Sequence, residues 1–320
     1  MPTHIRNPVF ERIALRLKTA WDWTIAKLVI FGLDVAQKLP PEKSTNFAEK
    51  VGRALAPILP RSKLARRNMT LAFPEKSAKE IDAMLKGMWG NVARTVAEYV
   101  FLDQLFDYDL RNEKVGRVEF TGDDLFVGIR EAGKPVIMFT AHTGNWELLP
   151  VGAATHHLPV TALFRQPNNR FLAERLLKAR RTSTGDLVPS GVGAAWALAD
   201  VLEQGRTVGL LADQAFTRGP HLEFLGREAT ANPIAAKLAR QYDADIYPAR
   251  CIRLPGGRFR IELEPKLELP RDGNGNLDIV GTTRAINHVI ERWIREYPEQ
   301  WLWLHDRWKI KATERGKWQK

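Results

Sequence analysis

Cysteine is all but missing: Cys251 is the single thiol in 320 residues. That excludes a disulfide within the chain and a cysteine-based metal cluster, and it fits a reducing compartment. Repeats and low-complexity tracts are also missing, which excludes a repeat architecture. Neither a Walker loop nor a Gly-x-Ser-x-Gly elbow occurs, and the second absence argues against an ordinary serine hydrolase. Gly191-Val192-Gly193 lacks the third glycine of a dinucleotide loop and is not expected to sit on a strand-to-helix turn. No long hydrophobic run is present either. From Ile13 to Leu39 the apolar sequence is interrupted by Arg16, Lys18, Asp22, Lys27 and Asp34, and its longest uncharged stretch in the second half is Leu28 to Leu33. That is far short of the ~20 residues that span a bilayer. No small-x-small site follows a compact apolar core, so a cleavable signal peptide is not expected.

Acidic residues are scarce at both ends. The formal charge is +11, and residues 1–70 hold 13 Lys and Arg against 5 Asp and Glu, so +8 of it lies there. At the other end Arg307, Lys309, Lys311, Arg315, Lys317 and Lys320 are opposed by Glu314. Basic ends with interleaved tryptophans suit anionic lipid headgroups or nucleic acid. No zinc-finger spacing or other nucleic-acid motif accompanies them, so the anionic membrane surface is the favoured partner, with no nucleic acid. Trp21, Trp23 and Phe31 beside Arg and Lys read as a helix lying in the membrane interface, although periodicity alone serves a core helix equally well.

What remains is an ordinary globular composition, 44% hydrophobic and 27% charged, long enough for one large domain with an appended segment. Pro57, Pro60 and Pro74 separate helical stretches over 44–105, and the apolar spacing from Ile81 to Phe106 predicts a core face. Beyond Val118 the pattern changes. Apolar runs at 135–141, 159–164, 207–212 and 245–253 alternate with helical stretches near 123–132, 145–155, 169–182, 193–204, 232–242 and 281–296. Gly256-Gly257 marks a hairpin. Strands alternating with helices predict an α/β layered domain.

The chemistry-bearing segment is His142-Thr143-Gly144-Asn145-Trp146-Glu147, directly after the apolar run Val136-Ile137-Met138-Phe139. Were all six residues helical, about 100° per residue would set His142 and Glu147 roughly 140° apart. They can meet only if the histidine sits on a turn and the helix begins after it, which Gly144 allows and Asn145 can cap. A general base with a carboxylate to orient it is one reading; a capping loop with an incidental histidine is the plainer one. Three further clusters fall at strand ends, where open α/β sheets place ligands. Arg165, in Phe164-Arg165-Gln166-Pro167-Asn168-Asn169, could meet an anion or a developing oxyanion, or be a solvated loop arginine. Asp213, in Ala212-Asp213-Gln214, is either functional or a cap. Asn232 and Pro233 are expected as N-cap and first residue of a helix. Asp243-Ala244-Asp245 imitates a glycosyltransferase metal motif but lies at an expected helix-to-strand junction, where such residues cap. His156-His157 has no carboxylate at ligand spacing and is expected at the surface.

Taken together, His142-x4-Glu147, Phe164-Arg165-x-Pro167-x-Asn169, Ala212-Asp213-Gln214 and the block Pro298-Glu299-Gln300-Trp301-Leu302-Trp303-Leu304-His305-Asp306-Arg307-Trp308-Lys309 resemble the lipid A late acyltransferases of Gram-negative bacteria. The first motif is shared with glycerolipid acyltransferases; the last block is much more specific. The resemblance implies a mixed central sheet flanked by helices, preceded by a membrane-associated helix. It implies divisions at 1–40 (interface helix), 41–311 (acyltransferase domain, with a helical lead-in 41–115 and an α/β core 116–311) and 312–320 (basic tail). It implies an enzyme on the cytoplasmic face of the inner membrane that moves a fatty acyl chain from acyl carrier protein to a hydroxyl of a 3-hydroxyacyl chain on a lipid A precursor. Under it, His142 is the general base and Glu147 its charge partner. Arg165 and Asn168 belong to the substrate-binding block, Arg165 for the thioester oxyanion or an acceptor phosphate, and Asp213 and Gln214 position substrate. Neither a metal nor an organic cofactor is implied. Asp306 departs from the pattern, which calls for a second basic residue there, and is expected to alter a surface contact. Rival readings are a same-fold acyltransferase for a phosphoglycolipid or aminolipid, and a non-catalytic membrane-binding scaffold.

Overall fold

A computed structural model describes residues 8–108, 116–164, 169, 171 and 185–309, with side chains from residue 16 onward. The first part is helical: α1 (Pro8–Ala36), α2 (Pro41–Leu55), α3 (Ser62–Ala72), α4 (Ala78–Glu98) and the short α5 (Leu102–Leu105). Prolines at 40–41, 57, 60 and 74 fall at the breaks between them, as a residue without an N–H and with a fixed φ requires. At the start of α4 the Ser77 side chain accepts from the Glu80 N–H, while the Glu80 carboxylate accepts from the Ser77 N–H. Such a reciprocal cap stabilises a helix by about 1 kcal/mol. The apolar face of α4, with Ile81, Leu85 and Met88, packs into the main core. In α1, by contrast, Leu17, Trp21, Trp23, Leu28 and Phe31 are exposed. Among the described residues no helix is long and apolar enough to cross a membrane.

The rest is a seven-stranded sheet covered by helices. Its strands are β1 (Val118–Thr121), β2 (Val136–Thr140), β3 (Val160–Phe164), β4 (Leu187–Pro189), β5 (Thr207–Leu211), β8 (Asp245–Leu254) and β9 (Arg258–Leu263). Their order is β1-β9-β8-β2-β5-β3-β4. All neighbours pair parallel except β8 with β9, which the turn over Gly256-Gly257 joins as an antiparallel hairpin. β2 is central and buried along nearly its whole length, as a parallel strand covered on both faces must be. Alternate residues feed two cores: Ile137 and Phe139 join the main one, while Val136 and Met138 join a smaller one with Phe126 and Ile129. The smaller core lies under α6 (Asp124–Ala132) and α7 (Leu148–Thr155). The main core gathers α8 (Ala194–Glu203), α9 (Ile234–Tyr242) and α10 (Ile279–Glu296).

The apolar runs expected as strands are strands, shifted by one residue at most ends. Three short pieces carried no such run: β1, β4, and the pair β6 (His221–Phe224) and β7 (Arg227–Thr230). The last two form a separate hairpin around Leu225 and Gly226, both at positive φ. The helix expected near 169–182 lies outside the described residues, apart from isolated positions. Asn232 accepts from the Ile234 N–H, but the N-cap position falls on Pro233 and the helix begins at Ile234, one residue later than expected. Asp243 ends that helix in the left-handed region. Two expectations are corrected. His156 is not at the surface: it is buried, donates to the Gly152 carbonyl, and stacks on Phe126 at 4.4 Å. An imidazole face is flat enough to pack among rings, which two adjacent histidines in a sequence do not reveal. Gly191-Val192-Gly193 does follow a strand and precede a helix, because β4 was too short to be read.

Candidate active site

Connections leave the centre of the sheet in opposite directions. β2 leads through α7 to β3 on one side, and β5 leads through the β6–β7 hairpin and α9 to β8 on the other. The crevice at the carboxyl ends of β2 and β5 is therefore the switch point at which such sheets bind ligands. His142 stands just beyond the end of β2 and Asp213 just beyond the end of β5, and the two strands pair residue for residue from Val136 opposite Thr207. Strand register thus brings together side chains 71 positions apart: His142 Nδ1 lies 2.8 Å from Asp213 Oδ1.

Asp213 is 2% exposed and has three donors around it. Its second oxygen accepts from the His142 backbone N–H at 3.0 Å and from the Trp301 indole at 2.7 Å. Burial pushes the Asp213 carboxyl up, but the His142 charge and the donated hydrogen bonds outweigh it and hold the group at about 2. It is therefore ionised at neutral pH and can only accept. Nδ1 of His142 must then carry a proton, so in the neutral ring the lone pair lies on Nε2. Trp146 stands edge-on to the ring, with centroids 5.1 Å apart.

Glu147, expected as the charge partner, does not stand at Nδ1 of His142. The Nδ1 nitrogen is taken by Asp213, whereas Glu147 Oε1 accepts from the Tyr99 hydroxyl and from the Trp146 indole at 2.8 Å. The reason is local geometry: Glu147 precedes the first residue of α7 and is buried against α4's end, while the histidine rides on the strand end next to β5. His142 and Glu147 still share one cavity wall.

The turn between them is pinned from three sides. Gly144 has φ +56°, and a Cβ there would stand 1.9 Å from the Cys251 carbonyl oxygen. Its N–H donates to the Gln300 carbonyl, and the Leu302 N–H donates to the His142 carbonyl. Asn145 donates to Glu98, which is fully buried and held by both terminal nitrogens of Arg253 at 2.5 and 2.8 Å. Gly144→Ala is expected to cost on the order of 1–3 kcal/mol from backbone strain before any clash with β8. Thermal unfolding checks it: a midpoint equal to wild type would show that the turn tolerates a side chain.

The block Pro298 to Lys309, a signature in the sequence, is in the structure the clamp of this site. Trp301 bonds Asp213, and His305 Nε2 accepts from the Ala215 N–H at 3.1 Å. Burial lowers the His305 imidazole below its ordinary value, so it is neutral and able to accept. Arg307 is not available to an anionic surface. It is buried, lies over the Phe224 ring at 4.3 Å and donates to Asn287 and the Thr230 carbonyl; burial lowers it to about 10, still cationic at neutral pH. Asp306 makes an inter-element contact, accepting from Arg67 of α3 at 2.6 Å.

The site opens into a cavity of about 550 Å³ between the sheet and α6 and α7. Small residues of the sheet face, Ala162, Gly209 and Ala249, leave the space, and Met138, Phe126 and Leu149 make it hydrocarbon. Gln214 lines the mouth with His142 and Glu147. Arg165 and Asn168 lie outside the described residues. Among the described residues no group of three or more His, Cys, Asp or Glu could hold a metal ion. The residues that local reading missed are Trp301, His305, Tyr99 and the Glu98–Arg253 pair. Their contacts to the site span 47 to 155 positions, so no local spacing announces them.

Comparison with known proteins adds the family. The profile of bacterial lipid A biosynthesis acyltransferases matches residues 10–310. The lipid A biosynthesis palmitoleoyltransferase of Escherichia coli is 26% identical over 298 residues, covering 89% of this chain and 92% of that one. A phosphatidylinositol mannoside acyltransferase of Mycolicibacterium smegmatis is 25% identical over 248 residues, 76% of this chain and 78% of that one. A lipid A biosynthesis acyltransferase of Haemophilus influenzae is 21% identical over 247 residues, 75% and 73% of the two chains. With a match over nearly the whole chain, spanning the His142 turn and the Trp301 clamp alike, the protein belongs to the bacterial lipid A biosynthesis acyltransferase family and is an acyltransferase.

Proposed function

We propose that the protein transfers a fatty acyl chain from acyl carrier protein to a hydroxyl of a 3-hydroxyacyl chain on a lipid A precursor, at the cytoplasmic face of the inner membrane. The observation that carries the reading is a histidine paired with a buried, ionised aspartate at the mouth of a hydrocarbon cavity. A secondary hydroxyl is a poor nucleophile at neutral pH, so a base must remove its proton as it attacks the thioester carbonyl. Nε2 of His142 takes that proton, and Asp213 holds the tautomer and stabilises the imidazolium. The tetrahedral oxyanion collapses to the ester, the carrier thiolate leaves, and the imidazolium returns a proton to the sulfur. No acyl-enzyme is needed. Arg165 remains the candidate for the oxyanion or an acceptor phosphate, and Asn168 and Gln214 remain candidates for holding substrate; Glu147 shapes the mouth by holding Trp146 and Tyr99. The positive net charge of the chain suits an acidic carrier and a phosphorylated lipid.

The cavity holds the acyl chain, each buried methylene contributing about 0.8 kcal/mol. Ala249→Leu places about three extra carbons in it, so the preferred donor is expected to shorten by about three carbons. Competition among acyl carrier proteins of graded chain length reads this out; an unchanged preference would place the chain elsewhere. A second acceptor has a specific basis, since a relative over most of the chain is a phosphatidylinositol mannoside acyltransferase. Detergent-solubilised protein, acylated carrier and either a lipid A precursor or a phosphoglycolipid decide between them by product mass. One added acyl group on the first supports the proposal; addition only to the second moves the acceptor.

A further inference from the structure

The rim of the cavity on the β3–β4 side carries an uncharged, exposed stretch that the chemistry above does not use. No charged residue occurs from Leu187 to Ala199. Within it Val192 is 110% exposed and Trp196, in the first turn of α8, is 76% exposed. Val192 projects from a loop whose flanking Gly191 and Gly193 both have positive φ. The loop is tied to the site: the Ser190 N–H donates to the Phe164 carbonyl at 2.7 Å, and both residues line the cavity. Phe216, another lining residue, is also exposed.

We propose that Val192 and Trp196 form a wedge that enters a lipid bilayer and sets the cavity mouth against the membrane, so that a lipid chain passes into the site without crossing water. This rests on the reading of the acceptor as a membrane lipid. Charge complementarity selects the occupant. An acidic carrier protein calls for a basic surface, and this stretch has no cation. A second copy of the chain calls for about 800 Å² per partner, far more than two side chains supply. A bilayer calls for an apolar tip with a tryptophan at its base, which is what the loop presents. Helix α1 adds a second apolar surface: Trp21 and Trp23 are exposed, and the Asp22 carbonyl between them accepts from Asn169.

Spin labelling tests it directly. Cys251 is fully buried, so an added surface cysteine labels alone. The full chain carrying Val192→Cys is labelled and mixed with vesicles of phosphatidylethanolamine and phosphatidylglycerol. On binding, the label is expected to lose contact with a water-soluble nickel chelate and gain contact with oxygen. A label at Lys134→Cys, beside the amino end of β2, stays in water. The pair Val192→Asp with Trp196→Asp is expected to weaken vesicle binding about tenfold or more. A label at 192 as accessible to the chelate as one at 134, no vesicle binding, or unchanged affinity of the double variant would each overturn the wedge. Acyl transfer in detergent is read separately. Transfer with an aqueous 192 removes the wedge alone, whereas an immersed 192 without transfer removes the proposed reaction and leaves the surface.

Discussion

Asparagine in place of Asp213 is expected to lower acyl transfer by about 1,000- to 10,000-fold, the loss typical of a misassigned imidazole tautomer. Three groups point donors at this carboxylate: Nδ1 and the backbone N–H of His142, and the Trp301 indole. An amide offers one acceptor oxygen and one NH2. Turned one way, the NH2 faces the indole and the backbone N–H; turned the other, it donates to Nδ1 and drives the proton to Nε2, where the lone pair is needed. Neither orientation serves. The same carboxylate has a pH signature. Its folded value of about 2 lies below the ordinary aspartate value near 3.8, so its contribution to stability is complete above the unfolded value and lost as pH falls through the folded one. Wild type is expected to lose stability between about pH 4 and 2 through this group, and Asp213→Asn is expected to lack that component in acid unfolding. Identical acid profiles would mean that the carboxylate is not ionised in the fold.

Removal of His142 has the other large effect. His142→Ala is expected to reduce kcat by about 100- to 10,000-fold, the range for a positioned general base, with KM little changed. The ring stands at the cavity mouth rather than in either core, so the variant folds. It loses some stability, because Asp213 keeps only two of its donors. Steady-state kinetics with an acylated carrier protein measure both parameters. Turnover close to wild type would remove His142 from the proton-transfer step.

The centre of the sheet was legible because β2, β5 and β8 are apolar runs of strand length, and their alternation with helices is a local signal. The His142 corner was legible for the same reason. A strand must end where the apolar run stops, and Gly144 supplies the only backbone there that can pass so close to Cys251. The partner of the histidine was not legible. Spacing offered Glu147, five residues away, while the strand pairing of β2 with β5 delivered Asp213 from 71 residues away. Trp301 and His305 were visible only as parts of a family signature, and nothing in their spacing assigned them to hold Asp213 and the segment after it. β4 escaped because three residues form no pattern, and with it went the position of the Gly191–Gly193 loop on the cavity rim.

The most direct test of the account sets Glu147→Gln beside Asp213→Asn in one acyl-transfer assay, with the same carrier and lipid acceptor. A glutamine oxygen can still accept from Tyr99 and Trp146, so Glu147→Gln is expected to lose about tenfold or less, the scale of one weakened hydrogen bond. Asp213→Asn is expected to fall to near the level of His142→Ala. If instead Glu147→Gln falls to that level while Asp213→Asn keeps most of its rate, the charge partner of the base is Glu147 and the His142–Asp213 assignment is wrong.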